Sequence, residues 1–188
     1  MKIIFTVILF LLSTFSFSQN ENKRYTFEEL WSIYIPKDTT VRLINYSNGN
    51  LKRKRIIYSA INNENNDVQL FLHKEEIYRQ NGILKKETFY KRGLYDKIFL
   101  YHKNGKINAE GTCEYDNGKH FVTVNGKIRG DVDIFHETIY APDGKKRISQ
   151  SFKKQKRYGT HKIYDFETGE LKKIKKFKDG KKVSTEKF

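Results

Sequence analysis

The 188-residue chain reads as all-β: a meandering antiparallel sheet of repeated β-hairpins, with room for one short helix near its N-terminus. Three observations predict this. Eight of the 12 glycines follow Asn, Asp or Thr at regular intervals, which is the turn chemistry of successive hairpins. Tyrosines stand at near-constant distances before those glycines. Aromatic residues make up 14% of a chain that is only 37% hydrophobic, so it is expected to fold around a thin, aromatic-rich interior.

The first 18 residues read as an export signal. Lys2 supplies the positive charge, Ile3 to Leu12 is apolar except for Thr6, and Ser16-Phe17-Ser18-Gln19 offers small residues to a signal peptidase, with cleavage after Ser18. The run is shorter than the roughly 20 apolar residues of a membrane span. The mature chain is expected in the periplasm or secreted, with no membrane span and, lacking a nearby cysteine, no lipid anchor.

Residues 19–40 form a polar lead-in. Thr26-Phe27-Glu28-Glu29 has the capping-box spacing of Thr and Glu, which predicts a short helix over Phe27 to Tyr34 ended by Pro36, against the plainer reading of strand or coil. Trp31, the single tryptophan, is expected to anchor this element in the core.

From residue 41 to 188 the chain reads as the hairpin domain. Val41 to Tyr46 and Leu51 to Tyr58 are β-prone runs around Asn48-Gly49, a pair suited to a type I′ turn. Asn62 to Asp67 is a polar loop. Leu70 to Tyr78 alternates well enough for a strand, although part of it also fits a helix. Asn-Gly then recurs at 81–82, 104–105, 117–118 and 125–126, Asp-Gly at 143–144 and 179–180, and Thr-Gly at 168–169. Aligning the tyrosines exposes the repeat, clearest over residues 78–182. Tyr78-x-x-Asn-Gly82 is followed by Tyr101-x-x-Asn-Gly105, and Tyr140-x-x-Asp-Gly144 by Tyr164 and Gly169, with second aromatics at Tyr90, Tyr115, Phe152 and Phe177. A period of about 20–25 residues implies units that cannot bury their own faces alone, with the matched aromatics stacked down one face of the sheet. Leu171, Ile174 and Phe177 recur every three residues, closer to a helix, but Gly169 and Gly180 bound the segment as a strand.

Gly159-x-x-x-x-Tyr164-x-x-x-x-Gly169-x-Leu171, followed by Phe177-x-x-Gly180-Lys181, resembles the MORN-repeat variant of the YwqK-type antitoxin family. Gly93 with Tyr101 and Asn104-Gly105-Lys106-Ile107, and Tyr115-x-x-Gly118-Lys119, form a second partial match, and Tyr78 to Tyr90 a third. The resemblance implies a sheet of hairpins that works by contact rather than catalysis. The Tyr-x-Gly-x-Trp/Phe core of eukaryotic MORN repeats is absent.

No catalytic or cofactor motif is found. His73, His102, His120, His136 and His161 show no metal-ligand spacing, and Cys113, alone in the chain, reads as a small buried strand residue. No serine-nucleophile elbow, phosphate-binding loop or dinucleotide fingerprint is present. Asp131 and Asp133 share a strand face that reads as solvated. No cofactor or metal is expected.

The net charge of +15 is uneven. Residues 145–188 hold 16 Lys/Arg against 5 Asp/Glu, whereas the rest holds 21 against 17. Part of this charge is explained by protection of strand edges. Beyond that, the sequence predicts a non-catalytic exported binding or scaffold protein. It presents a basic, aromatic surface to an envelope or protein partner; the alternative implied by the resemblance is an antitoxin or immunity-type protein. Lys172, Lys173, Lys175, Lys176 and Lys181 are the expected contact residues, supported by Tyr164 and Phe177. Export argues against nucleic acid as the partner.

Overall fold

A computed structural model of the chain describes residues 24–25, 29, 32–64, 66–91, 93–115, 121–124, 127–130 and 132–188. The expected signal segment, Trp31 and the turns at Asn117-Gly118 and Asn125-Gly126 lie outside the described residues.

The strands are β1 (Arg24–Tyr25), β2 (Tyr34–Asn45), β3 (Leu51–Asn62), β4 (Val68–Tyr78), β5 (Leu84–Lys91), β6 (Leu94–Tyr101) and β7 (Ile107–Glu114). They continue as β8 (Phe121–Val124), β9 (Lys127–Gly130), β10 (Ile134–Tyr140), β11 (Lys146–Lys153), β12 (Lys156–Tyr164), β13 (Leu171–Lys178) and β14 (Lys181–Lys187). Eleven of them form one antiparallel sheet in the order β14-β13-β12-β11-β10-β7-β6-β5-β4-β3-β2. The expected meander of hairpins is therefore present. It is interrupted once, where the chain leaves β7, forms β8 and β9 beside β1 in a small second sheet, and returns as β10.

One repeated turn explains the punctuation. At Tyr46–Asn50, Arg79–Ile83, His102–Lys106 and Ala141–Lys145 the first N–H donates to the fifth carbonyl, and the glycine N–H, fourth in the turn, donates to the first carbonyl. Gly49, Gly82, Gly105 and Gly144 take φ between 81° and 96°, while the preceding Asn48, Asn81, Asn104 and Asp143 do not have positive φ. These are three-residue loops with one left-handed glycine, not the two-residue type I′ turn expected at Asn48-Gly49. The Asn or Asp is selected by its side chain, whose Oδ1 accepts from the backbone N–H two residues on: Asn50, Ile83, Lys106 and Lys145 respectively. At Asp165–Glu170 the same turn carries one extra residue, and Thr168 Oγ1 takes the asparagine's part. At the other end of the strands, Lys154-Gln155 and Asp179-Gly180 have consecutive positive φ, the type I′ geometry.

Register shifts recur beside these loops, between Ile44 and Asn45, Ile77 and Tyr78, Leu100 and Tyr101, Ile139 and Tyr140, and Ile163 and Tyr164. Such bulges twist the sheet and re-aim side chains. The loops are also laced to one another across the repeat. Tyr46 Oη donates to Tyr78 O, Arg79 Nη2 to Tyr101 O, and Asn104 Nδ2 to Pro142 O, at 2.8–2.9 Å. Lys145 Nζ reaches Glu167 O at 2.5 Å.

The interior is thin. The buried cluster is Tyr34, Ala60, Phe71 and Leu94, with Ile33, Tyr58 and Tyr115 packed on it. Phe71 meets Tyr34 edge-on and Tyr58 face-on, both at 5.3 Å. Gly111 makes room elsewhere: a Cβ there would lie 2.5 Å from the Phe135 ring.

Two expectations need correction at the N-terminal end. Glu29, Ser32 and Ile33 carry helical backbone, but Phe27, Glu28, Leu30 and Trp31 lie outside the described residues, and Tyr34 already opens β2. The sheet thus starts seven residues before Val41, and Pro36 sits inside the strand. It is tolerated because β2 is an edge strand, where a missing N–H faces no neighbour, and the register shifts between Pro36 and Asp38.

Candidate contact surface on strands β11 to β14

Strand alternation and the observed register divide the sheet into two faces. We call the face that carries Tyr78, Tyr101 and Tyr140 the front. On it, Tyr78 Oη donates to Glu76, Tyr101 Oη to Glu87 and Tyr140 Oη to Glu110, at 2.8, 2.9 and 2.5 Å. Burial, then these glutamates, pushes all three phenols up to about 12. Lys74 bridges Glu76 at 2.9 Å and Glu87 at 2.5 Å, so front-face charge on β4 and β5 is matched.

Matching fails toward β14. On the back face, Phe177 is buried and packs at 4.5 Å, tilted by 41°, against the buried ring of His161, which lies 6.0 Å from Phe152. His161 Nε2–H donates to Ser151 O at 2.9 Å, which fixes the ring. The Arg157 guanidinium lies 5.4 Å from the Phe177 ring centre. Lys175 is opposite His161, Lys173 opposite Ile163, Lys182 opposite Phe177 and Lys187 opposite Lys173. The back-face positions paired from β12 to β14 include no carboxylate. Directly opposed like charges such as Lys173 and Lys187 are about 5 Å apart at Cβ and repel.

Register separates the seven expected contact residues. Lys172, Lys176 and Lys181 lie on the front with Tyr164; Lys173 and Lys175 lie on the back with Phe177. Lys172 is partly neutralised, its Nζ 3.2 Å from Asp165 Oδ2. The Asp165 carboxyl is pulled down to about 2 by the backbone N–H groups of Thr168 and Glu167, then by Lys172. Among the described residues, Lys173, Lys175, Lys176 and Lys181 have no salt-bridge partner within 4 Å. Ile174 and Phe177 fall on opposite faces, as a spacing of three requires in a strand. The stack of matched aromatics forms in two parts: Phe152, His161 and Phe177 here, and Tyr90 with Tyr95 beyond the β8–β9 excursion, where Tyr115 Oη donates to Tyr95 O.

The fold also assembles a group with no local sequence signal. Ser151 Oγ is 2.7 Å from His136 Nδ1, and His136 Nε2 is 2.9 Å from Glu114 Oε1, across β11, β10 and β7. The order of groups is that of a hydroxyl, an imidazole and a carboxylate relay. It lies on an open strand surface, with the His136 side chain 42% and Glu114 60% exposed, and serves as a cross-strand hydrogen-bonded rung. Of the two aspartates read as a solvated pair, Asp131 is outside the described residues. Asp133 is a correction: it precedes β10, its side chain is only 15% exposed, and it pairs with Lys153 at 3.3 Å. Cys113 is half-buried on β7, and burial, then Asp96, pushes its thiol up to about 11.

A cavity of about 540 Å³ opens over β2 to β6, lined by residues including Pro36, Ile56, Tyr58, His73, Phe89 and Asp96. It holds no serine or cysteine nucleophile and is remote from the basic strands. Among the described residues, no three His, Cys, Asp or Glu side chains converge as metal ligands, and no helix is long and apolar enough to cross a membrane.

No family model matches the chain, and no curated protein does. Among solved structures, it is similar to a chain in the crystal structure of the GtfA/B complex bound to UDP and GlcNAc, at 11% identity and a TM-score of 0.24. The match covers 90% of this chain and 28% of that one.

Proposed function

We propose that this chain is an exported, non-catalytic binding module built from MORN-like hairpins, and that the back face of β12 to β14 holds an anionic partner of the cell envelope. One observation carries the reading: Arg157, Lys173, Lys175, Lys182 and Lys187 share a face with no opposing carboxylate, over the Phe152–His161–Phe177 row. Repeated cations on a fixed frame attract a polyanion at long range and release it with salt. The buried aromatics hold β12 and β13 in register beneath them. Export rests on the charged, apolar and small-residue pattern of residues 1–18.

The test compares two sets of equal charge on heparin and on anionic lipid vesicles, using chain recovered from expressing cells and confirmed by mass to start at Gln19. Lys173→Gln, Lys175→Gln and Lys182→Gln together are expected to lower the eluting salt more than Lys172→Gln, Lys176→Gln and Lys181→Gln together. Equal losses overturn the back-face assignment. Retention that survives both sets overturns the binding reading.

A further inference from the structure

The two outer strands of the large sheet differ in how they meet water. β14 is edged with Lys181, Lys182 and Lys187, and lysine on an edge strand deters pairing with another chain. β2 has a proline, a lysine, Lys37, and a bulge at its N-terminal end, but from Asp38 to Ile44 it has no such guard. It is 12 residues long, and all but Tyr34 are exposed, including Ile35, Val41, Leu43 and Ile44 at 45–62%. Its only charges are Lys37, Asp38 and Arg42. Among the described residues, neither the Asp38 carboxylate nor the Arg42 guanidinium has an ion-pair partner within 4 Å.

The spacing of those two charges selects a partner. When β2 pairs antiparallel with a second β2 about a twofold axis at Thr40, Asp38 of each copy faces Arg42 of the other, and Thr39 faces Val41. Asp38 and Arg42 are both back-face residues, paired with Ser59 and Arg55 on β3, so the opposed charges meet on one side of the joined sheet. A two-residue slip one way sets Arg42 against Thr40; a four-residue slip sets Arg42 against itself. Within the straight edge that begins at Asp38, only the register about Thr40 opposes unlike charges, and it does so twice. The bulge between Pro36 and Asp38 limits the straight edge to Asp38–Asn45, which contains that register.

We propose that β2 is a self-pairing edge, and that a second copy of this chain adds to it antiparallel about Thr40, joining two 11-stranded sheets into one. The contact is isologous and closes as a dimer, leaving each β14 at an outer edge.

Sedimentation velocity of the full chain over a wide concentration range is expected to show a monomer–dimer equilibrium. Asp38→Arg alone and Arg42→Asp alone should each weaken it roughly tenfold, since each change acts twice across the axis. The exchanged pair, Asp38→Arg with Arg42→Asp, should restore it, which misfolding of a single variant would not. Amide exchange at Asp38–Asn45 should slow as the dimer forms. A monomer at every concentration overturns the proposal, including one whose β2 amides are protected by another part of the chain. A dimer insensitive to the single changes, or a ladder of larger species from β2 meeting β14, also overturns it.

Discussion

Asn104 uses both ends of one amide. Its Oδ1 accepts from Lys106 N at 3.1 Å, closing its own turn, and its Nδ2 donates to Pro142 O at 2.9 Å, tying that turn to the next. Gly105 beside it takes φ +81°, where a side chain is strained although the space around it is open. Gly105→Ala should therefore cost about 1 kcal/mol through backbone strain alone. Asn104→Ala should cost about 1–2 kcal/mol, and Asn104→Asp less, because the carboxylate keeps the local bond and loses only the donation to Pro142. Urea unfolding of the three variants checks the order; an aspartate variant as stable as the parent chain would mean the link between turns contributes nothing, and equal costs for the alanine and aspartate variants would mean the local bond contributes nothing. At this scale the sequence was informative in part. Asn-Gly marked a turn correctly, but the turn type depends on the φ of Asn104, which the dipeptide leaves open.

A strand in this sheet is defined by where it bulges as much as by its residues. Each shift beside Asn45, Tyr78, Tyr101, Tyr140 or Tyr164 adds a residue to one strand, so counting alternate positions along the sequence loses track of the faces. Alternation alone separates the lysines of β13, with Lys172 and Lys176 on one face and Lys173 and Lys175 on the other. Ser151, His136 and Glu114, on three strands with the β8–β9 excursion between two of them, carried no local pattern to find. The repeated tyrosine was legible as a period; its bond to a glutamate was not, since the partner lies on the same strand for Tyr78 and on a neighbouring one for Tyr101 and Tyr140. These rungs have a pH signature. Each phenol is raised in the fold from 10 to about 12, so the stability it contributes is fully present below pH 10 and is lost as pH rises through 12. Phenolate absorbance should show tyrosines titrating late, with unfolding following over the same window. Glu87→Gln should bring Tyr101 to ionise earlier while leaving Tyr140 unchanged. Phenols that all ionise near pH 10 without loss of structure would show that the rungs do not form.

Across the whole molecule, two electrostatic regimes share one sheet. From β3 to β5, charges are matched: Arg55 pairs with Glu75 at 2.8 Å, Lys74 with Glu76 and Glu87, and both Glu75 and Glu76 are buried. From β11 to β14 charge is in excess, with lysine opposite lysine at 153 and 156, 173 and 187, and 178 and 181. The buried apolar cluster lies on the matched side, among β2, β3, β4 and β6, and does not extend to β11–β14, where electrostatic terms weigh more. Salt should therefore act on the two regions in opposite directions. Raising ionic strength from about 0.05 M to about 0.5 M shortens the screening length from roughly 14 Å to roughly 4 Å, which removes repulsion between exposed lysines and weakens attraction between ion pairs. Amide hydrogen exchange resolved by strand should then slow on β12 to β14 and stay constant or quicken on β3 to β5. The low contact density of a sheet this thin allows its strands to open separately, so the two responses remain distinguishable. If both regions slow together, excluded-water effects of the salt dominate and the lysine repulsion is not what limits the C-terminal strands. If only β12 to β14 respond, the same unmatched charge that loosens these strands is what remains available to an anionic partner.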